Sequence, residues 1–160
     1  MTAGSVVQVV EIDSRRFNFL RERYLSRGID FVNGAKHYLV MLDGKLAGGI
    51  AYQRSQYGDV TDLYLLSDFS IVRAGKISKL IALLATSREL TRHVERVYGQ
   101  RFTHLYTTAF TDKPISMKYR GVFEVSSRKP GMVNYVSEIR PDPLQQLYGI
   151  WWRRHAKNPR

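Results

Sequence analysis

Residues 72–79, Val72-Arg73-Ala74-Gly75-Lys76-Ile77-Ser78-Lys79, decide how this chain is read. A β-rich run precedes them and a long helical pattern follows, so they form a short basic turn between a strand and a helix. Such a junction aims the unpaired N–H groups of a first helical turn at one spot, where phosphate is stabilised. Arg73, Gly75, Lys76, Ser78 and Lys79 are therefore candidate phosphate-binding residues, with ordinary surface cations as the alternative.

The strand before the turn, residues 62–72, alternates Leu63, Leu65, Phe69 and Ile71 on one face with Tyr64, Leu66 and Val72 on the other. Asp62, Asp68 and Ser70 share that second face. A carboxylate on an apolar strand face costs free energy unless it is paired, so Asp68 is either a general base or the partner of one of the many arginines. Behind the turn, Ile77, Leu80, Ile81, Leu84, Val94, Val97 and Tyr98 form one stripe and predict a single central helix over 77–98, stopped by Gly99.

Working outward, residues 6–12 read as a strand, and Asp13 or Ser14 caps a helix over 15–27, with Gly28 just past its end. Arg15, Arg16, Arg21, Arg23 and Arg27 on that helix form a solvated face or touch phosphates. Residues 37–40 and 45–53 are strands joined by Asp43-Gly44, the strongest hairpin signal in the chain. Gly48-Gly49 within the second strand marks a bulge, or relief for a helix packed above. A polar loop with Gly58 spans 56–59. Beyond the central helix come a strand over 102–110, a short helix from Pro114 to about residues 119–121, strands over 122–125 and 132–139 around a loop over 126–131, and an amphipathic helix over 144–154. A central, mostly antiparallel mixed sheet with helices on both faces, an α/β (α+β) architecture, buries these elements in one domain spanning 1–160, with a basic aromatic helix over 143–155 at its end.

Composition narrows the chemistry. The 160 residues include no cysteine, which excludes disulfides, thiolate nucleophiles and cysteine metal sites, and the four histidines show no metal-binding spacing. No apolar run is long enough to span a membrane, so a cytoplasmic protein is expected. The net charge of +11 is unevenly placed: residues 1–72 are balanced, whereas 73–129 hold 12 basic against 4 acidic residues. A field of that sign suits a polyanion such as DNA, RNA or a phosphate-rich cofactor. Candidate contacts are Lys113, Lys118, Arg120, Arg128 and Lys129, and then Trp151, Trp152, Arg153 and Arg154, where aromatics stand beside cations. The tryptophans alternatively seal the core or a homodimer contact. Thr107, Thr108 and Thr111 with Asp112 and Lys113 gather polar groups at a strand end, where open α/β sheets form ligand crevices, though threonines are also good strand formers.

The order of elements resembles the GNAT acyltransferase fold, whose loop after the fourth strand grips the pyrophosphate of an acyl-coenzyme A. The family pattern Gln/Arg-x-x-Gly-x-Gly/Ala falls on residues 73–78, where Arg73 matches, Ser78 is a small residue in the last place, and Lys76 replaces a glycine. Asp112 with Ile115 and Tyr119-Arg120-Gly121-Val122-Phe123 is similar to the family segment Asn-x-x-Ala-x-x-x-Tyr-x-x-Gly-Phe, one residue shorter before glycine. The resemblance implies acetyl-coenzyme A or another acyl-coenzyme A as cofactor and Tyr119 as the acid that protonates the leaving thiolate; the residue-level alternative is a core aromatic. Asp68 or Asp112 would take the proton of the attacking amine. The degenerate loop, the density of lysine and arginine and the Ser78-Lys79-Leu80 helix start resemble the phage Mom-type branch, which modifies DNA adenine against restriction. That implies DNA as the partner. The alternatives are a GNAT-type toxin that acetylates aminoacyl-tRNA and a nucleic-acid-binding protein whose cofactor site is blocked by Lys76.

Overall fold

Asp43 and Gly44 both take positive φ, 51° and 75°, in the two-residue turn that sets the register of the sheet's first hairpin. It joins β2 (Lys36–Leu42) to β3 (Lys45–Arg54). The computed structural model describes residues 1–24, 32–54, 62–71, 76–114 and 116–156. Strand β1 (Val7–Ile12) pairs outside β2, while β4 (Asp62–Ser70) continues from β3. The sheet is completed by β5 (His104–Ala109), β6 (Glu124–Lys129) and β7 (Met132–Glu138), in the order β1-β2-β3-β4-β5-β7-β6. Every pair is antiparallel except β4 with β5. The mixed, mostly antiparallel α/β fold expected from the sequence is what forms.

Helix α1 (Ser14–Tyr24) starts on Asp13, whose Oδ1 accepts from the Arg16 N–H at 2.8 Å. The rest of its expected span, with Arg27 and Gly28, and the loop over 56–59 lie outside the described residues. Both readings of Gly48-Gly49 hold. A bulge lies between Val40 and Met41 opposite this stretch, and each glycine admits a close neighbour. A Cβ on Gly48 would stand 2.1 Å from the Phe69 carbonyl and 3.1 Å from Ile81, whereas one on Gly49 would meet the Phe69 and Phe17 rings. Consecutive strand residues face opposite sides, so α1, carrying Phe17, covers one face and α2 (Ile77–Ala85), carrying Ile81, the other.

The stripe over 77–98 is two helices, not one. After α2 the chain breaks at Thr86-Ser87 and resumes as α3 (Arg88–Tyr98), closed by Gly99 at φ 60°. The break is specified locally: Thr86 Oγ1 donates to the Leu83 carbonyl at 2.7 Å, and Ser87 Oγ accepts from Glu89 N–H. The 86–88 backbone then bonds to Arg140, Arg88 N donating to Arg140 O and Arg140 N to Thr86 O, both at 2.8 Å. Ser87 Oγ also donates to Asp142 O at 2.7 Å, so Ser87→Ala removes a cap and leaves a carbonyl short of a partner. A loss of about 1–2 kcal/mol in urea denaturation is expected.

Three other expectations are corrected. Residues 116–123 form successive turns rather than a helix: Tyr119 and Arg120 N–H donate to Ser116 O, Val122 and Phe123 N–H to Tyr119 O, and Gly121 takes φ 81°. Residues 126–129, expected in a loop, belong to edge strand β6, because the reversal to β7 takes only Pro130 and Gly131. The terminal helix α4 (Leu144–Trp151) widens into a π-helical turn, Trp152–Ala156. Among the described residues no helix is long and apolar enough to cross a membrane.

Candidate active site

Strand β4 carries a bulge between Ala51 and Tyr52 of its partner: Tyr52 pairs with Leu65, Ala51 with Ser67, and Leu66 is the extra residue. Strict alternation therefore fails at this point. Leu63 and Leu65 belong to the main core with α2, but Phe69 packs with Phe17 in the smaller core beneath α1. Ser67, two residues before Phe69 and on the same face, accepts from Arg21 Nε–H at 2.9 Å. The bulge thus turns Asp68 onto the face of Leu63 and Leu65, against the expectation that it shares a face with Tyr64.

On that face the sheet opens. Strands β4 and β5 are in parallel register only from Asp62–His104 to Tyr64–Tyr106. Beyond that, side chains span the gap: Thr107 Oγ1 donates to Leu65 O at 3.1 Å, and further along Tyr119 Oη donates to Asp68 Oδ1 at 2.8 Å. Lys118 completes the cluster, with Nζ 2.7 Å from Asp68 Oδ2 and donating to the Asp68 carbonyl at 2.8 Å. Asp68 is paired, as one reading required, but with a lysine rather than an arginine. Lys118, expected to face nucleic acid, is committed to this carboxylate because the 116–123 turns point it inward.

Tyr119 is only 5% exposed, its ring lying against Phe123 and Tyr135 at centroid distances of 5.3 and 5.0 Å. Burial first, then the adjacent Asp68 charge and the hydrogen bond to it, raises the phenol's pKa well above its ordinary value. The phenol consequently keeps its proton at neutral pH. It is a core aromatic, as one reading has it, and its hydroxyl donates to Asp68.

A cationic cluster adjoins this pair. Lys76, at the start of α2, takes left-handed backbone angles of φ 59° and ψ 31°. That conformation favours glycine, the residue the GNAT pattern has there. The Lys76 carbonyl accepts from Trp151 Nε1 at 3.1 Å and its side chain is exposed. Lys79, one turn on, donates to the Arg120 carbonyl, tying the helix start to the residue after Tyr119. Burial, then Lys76 and Arg120, lowers the Lys79 pKa; burial, then Lys76, Lys79 and Arg154, lowers that of His155. Among the described residues none of Lys76, Lys79, Arg120 and Arg154 is ion-paired. Cations at a helix N-terminus oppose its dipole and each other, an arrangement that suits a bound anion. Ser78 is half-buried in the first turn of α2, whereas Arg73 and Gly75 lie outside the described residues, as does Ile115.

The remaining candidates separate. Asp112 is exposed and its Oδ1 accepts from Gly131 N–H at 2.5 Å, hanging the 110–118 segment on the β6–β7 turn. Arg128 donates to Pro114 O, while Lys113, Arg120 and Lys129 are exposed around the same segment. Thr108 Oγ1 is bonded to Asn134 at 2.8 Å. Trp151 is 1% exposed, which corrects its expected stacking on bases: the ring seals α4 against α2. Trp152 is half-buried, stacked on Tyr148 at 6.3 Å, and Arg153 and Arg154 are exposed. Sequence reasoning missed that Lys118, Asp68 and Tyr119 form one unit; the adjacency of Lys118 to the candidate acid was the available signal.

Comparison with known proteins places this geometry. A family model described as a phage GNAT-like domain matches residues 4–156. No curated protein matches the chain in sequence. Among solved structures it is similar to the Campylobacter jejuni N-acetyltransferase PseH in complex with acetyl coenzyme A, at TM-score 0.54 and 10% identity over 84% of this chain and all of that one. A Salmonella typhimurium acetyl transferase that modifies the N-terminal serine of ribosomal protein L7/L12 gives TM-score 0.53 at 13% identity over 87% and 98% of the two chains. Aminoglycoside acetyltransferase AAC(6')-Ib in complex with coenzyme A gives 0.52 at 12% identity over 93% and 98%. At these identities the likeness is one of fold.

Proposed function

The chain belongs to the phage GNAT-like domain family, and on that premise we propose that it transfers an acyl group from an acyl-coenzyme A to an amine of a nucleic acid, adenine in DNA being the preferred acceptor. The observation that carries this reading is the juxtaposition at the opened β4–β5 gap: a buried, protonated phenol on a carboxylate, beside cations that make no ion pair among the described residues.

Acetyl-coenzyme A or another acyl-coenzyme A would supply the acyl group as a thioester. The chemistry of the cation cluster fits its phosphates: Lys76, Ser78 and Lys79, with Arg73 and Gly75 of the preceding turn, would hold the pyrophosphate at the start of α2. The left-handed backbone of Lys76, which does what glycine would do, and its exposed side chain support an open site over a blocked one. At the reacting end, Tyr119 holds a proton at Oη for the leaving group and Asp68 offers a carboxylate to the proton leaving the amine. Tyr119 Oη and Asp68 Oδ1 are 2.8 Å apart, so one hydrogen bond returns the proton from Asp68 to the Tyr119 phenolate after each turnover. Lys118, with Nζ 2.7 Å from Asp68 Oδ2, fixes the orientation of the carboxylate. Asp112, exposed and bonded to Gly131, positions the loop instead.

The nucleic-acid acceptor is supported by a band of cations. Arg154, Lys76, Lys79 and Arg120 gather around His155 and the start of α2, and Arg128 and Lys129 lie exposed on β6, Arg128 bonded to the Pro114 carbonyl. A base held in a duplex must be flipped to reach a gap of this kind. Titration calorimetry with acetyl-coenzyme A is expected to show one site per chain, weakened about tenfold or more by Lys76→Glu with Lys79→Glu, a loss of ~1.4 kcal/mol or more. Absence of binding to any acyl-coenzyme A contradicts the proposal.

A further inference from the structure

A second cationic site lies at the other end of β5 from the gap. Helix α3 carries Arg88, Arg92 and Arg96 four residues apart, on one face, and Arg101 follows two residues after its Gly99 cap. Together with Glu95 and Gln100 these residues line an open cleft of about 480 Å³. Its one acid is already used. Arg88 Nη1 bonds both Glu95 carboxylate oxygens at 2.9 Å and the Phe102 carbonyl at 2.8 Å, while Glu95 Oε2 accepts from Phe102 N–H at 3.1 Å. Arg88 and Glu95 therefore build the wall of the cleft and neutralise each other.

Arg92, Arg96 and Arg101 are left exposed, with no ion pair or hydrogen bond to their side chains among the described residues. Like charges four apart on a helix repel each other, a cost that a bound anion offsets. The field is felt nearby: His93 is held toward its neutral form, by burial first and then by Arg92 and Arg96. The three guanidiniums present planar forks suited to phosphate oxygens.

We propose that this cleft is a phosphodiester-backbone site, which takes the nucleic acid at a point distant from the base being modified. As the site of a second contact on the same strand or duplex it rests on the proposed function. The cleft opens where β5 begins and the gap lies where β5 ends, a strand of six residues, or about 20 Å, away. That spacing corresponds to roughly six nucleotides at 3.4 Å each, so mononucleotides and short oligomers would occupy one site only and longer chains both.

The test uses the triple variant Arg92→Gln, Arg96→Gln, Arg101→Gln in the full chain. Fluorescence anisotropy with a 24-base-pair duplex, over a salt series, reads the site directly. The variant is expected to bind at least tenfold more weakly, with the slope of log K against log salt reduced by about two to three, since each lost phosphate contact removes about 0.9. It should bind acetyl-coenzyme A as wild type does and melt at the same temperature or higher, because the repulsion is gone. Unchanged affinity and slope overturn the site, as does a wild type that binds no nucleic acid. Nucleoside modification is measured in parallel. If the variant binds DNA as wild type while wild type still modifies nucleosides, the cleft is refuted and the function stands; if binding falls as expected but wild type modifies nothing, the function is refuted and the cleft stands.

Discussion

Tyr119→Phe is expected to lower kcat by about 10²–10⁴-fold, the range of a general acid lost from its position, with KM nearly unchanged. The substitution removes one oxygen and leaves the ring packed against Phe123 and Tyr135. What it removes chemically is the proton held 2.8 Å from Asp68. Asp68 keeps Lys118 as a partner, so the cost to folding stays near the low end of ~1–3 kcal/mol for an orphaned buried acceptor. Steady-state rates under saturating acyl-coenzyme A and acceptor check the first figure, and a thermal melt checks the second. A variant within about threefold of wild type would remove Tyr119 from the chemistry, leaving it a core aromatic. Asp68→Asn is the companion: it still accepts from the phenol but no longer takes a proton or balances Lys118, so it should lose both rate and stability.

Gly48→Ala is expected to be the most damaging single methyl in the fold. The added Cβ would sit 2.1 Å from the Phe69 carbonyl oxygen, an atom of the neighbouring strand that is held by the ladder. Either β3 and β4 separate or α2 is pushed outward through Ile81, and we expect a loss of about 3 kcal/mol, at the upper end for overpacking. For a chain of this size that is a fall of roughly 6–12 °C in Tm. Gly49→Ala should cost less, because its Cβ meets the Phe69 and Phe17 rings, which can turn. Phe69 adjoins Asp68, so Gly48→Ala should also reduce acyl transfer beyond what its melting temperature explains. A melt within 2 °C of wild type would show that the backbone yields there.

Much of this fold was legible in the sequence because its signals are local. Asp43-Gly44 specified a hairpin through φ angles that other residues resist, and the period-2 and period-3.6 patterns supplied the strands in order and the helices apart from the split of 77–98 and the turns of 116–123. The failures share a physical origin in single-residue events that shift phase. Leu66, one extra residue in β4, reverses the faces on either side of it and brings Asp68 to Tyr119. No propensity marks that residue, since the bulge is decided by pairing with β3. The Thr86-Ser87 break was readable as a cap followed by Glu89, but the apolar stripe running past it concealed it. Pro130-Gly131 made so tight a reversal that what read as loop became strand. For the candidate site, Tyr119 and the α2 start came from motif order, whereas the placement of Lys118 on Asp68 required the turns of 116–123, where the sequence suggested a helix.

The band of cations and the phenol together make one claim, that this chain acylates a nucleic acid. Mass spectrometry of nucleosides from digested DNA and tRNA, taken from cells expressing wild type beside Tyr119→Phe, measures it most directly. The account predicts an acyl-derived mass increase on a DNA nucleoside, adenosine's deoxy form first, present with wild type and absent with Tyr119→Phe. An increase confined to tRNA would move the acceptor to RNA, and no increase in either pool, with the protein folded and acyl-coenzyme A bound, would contradict the account.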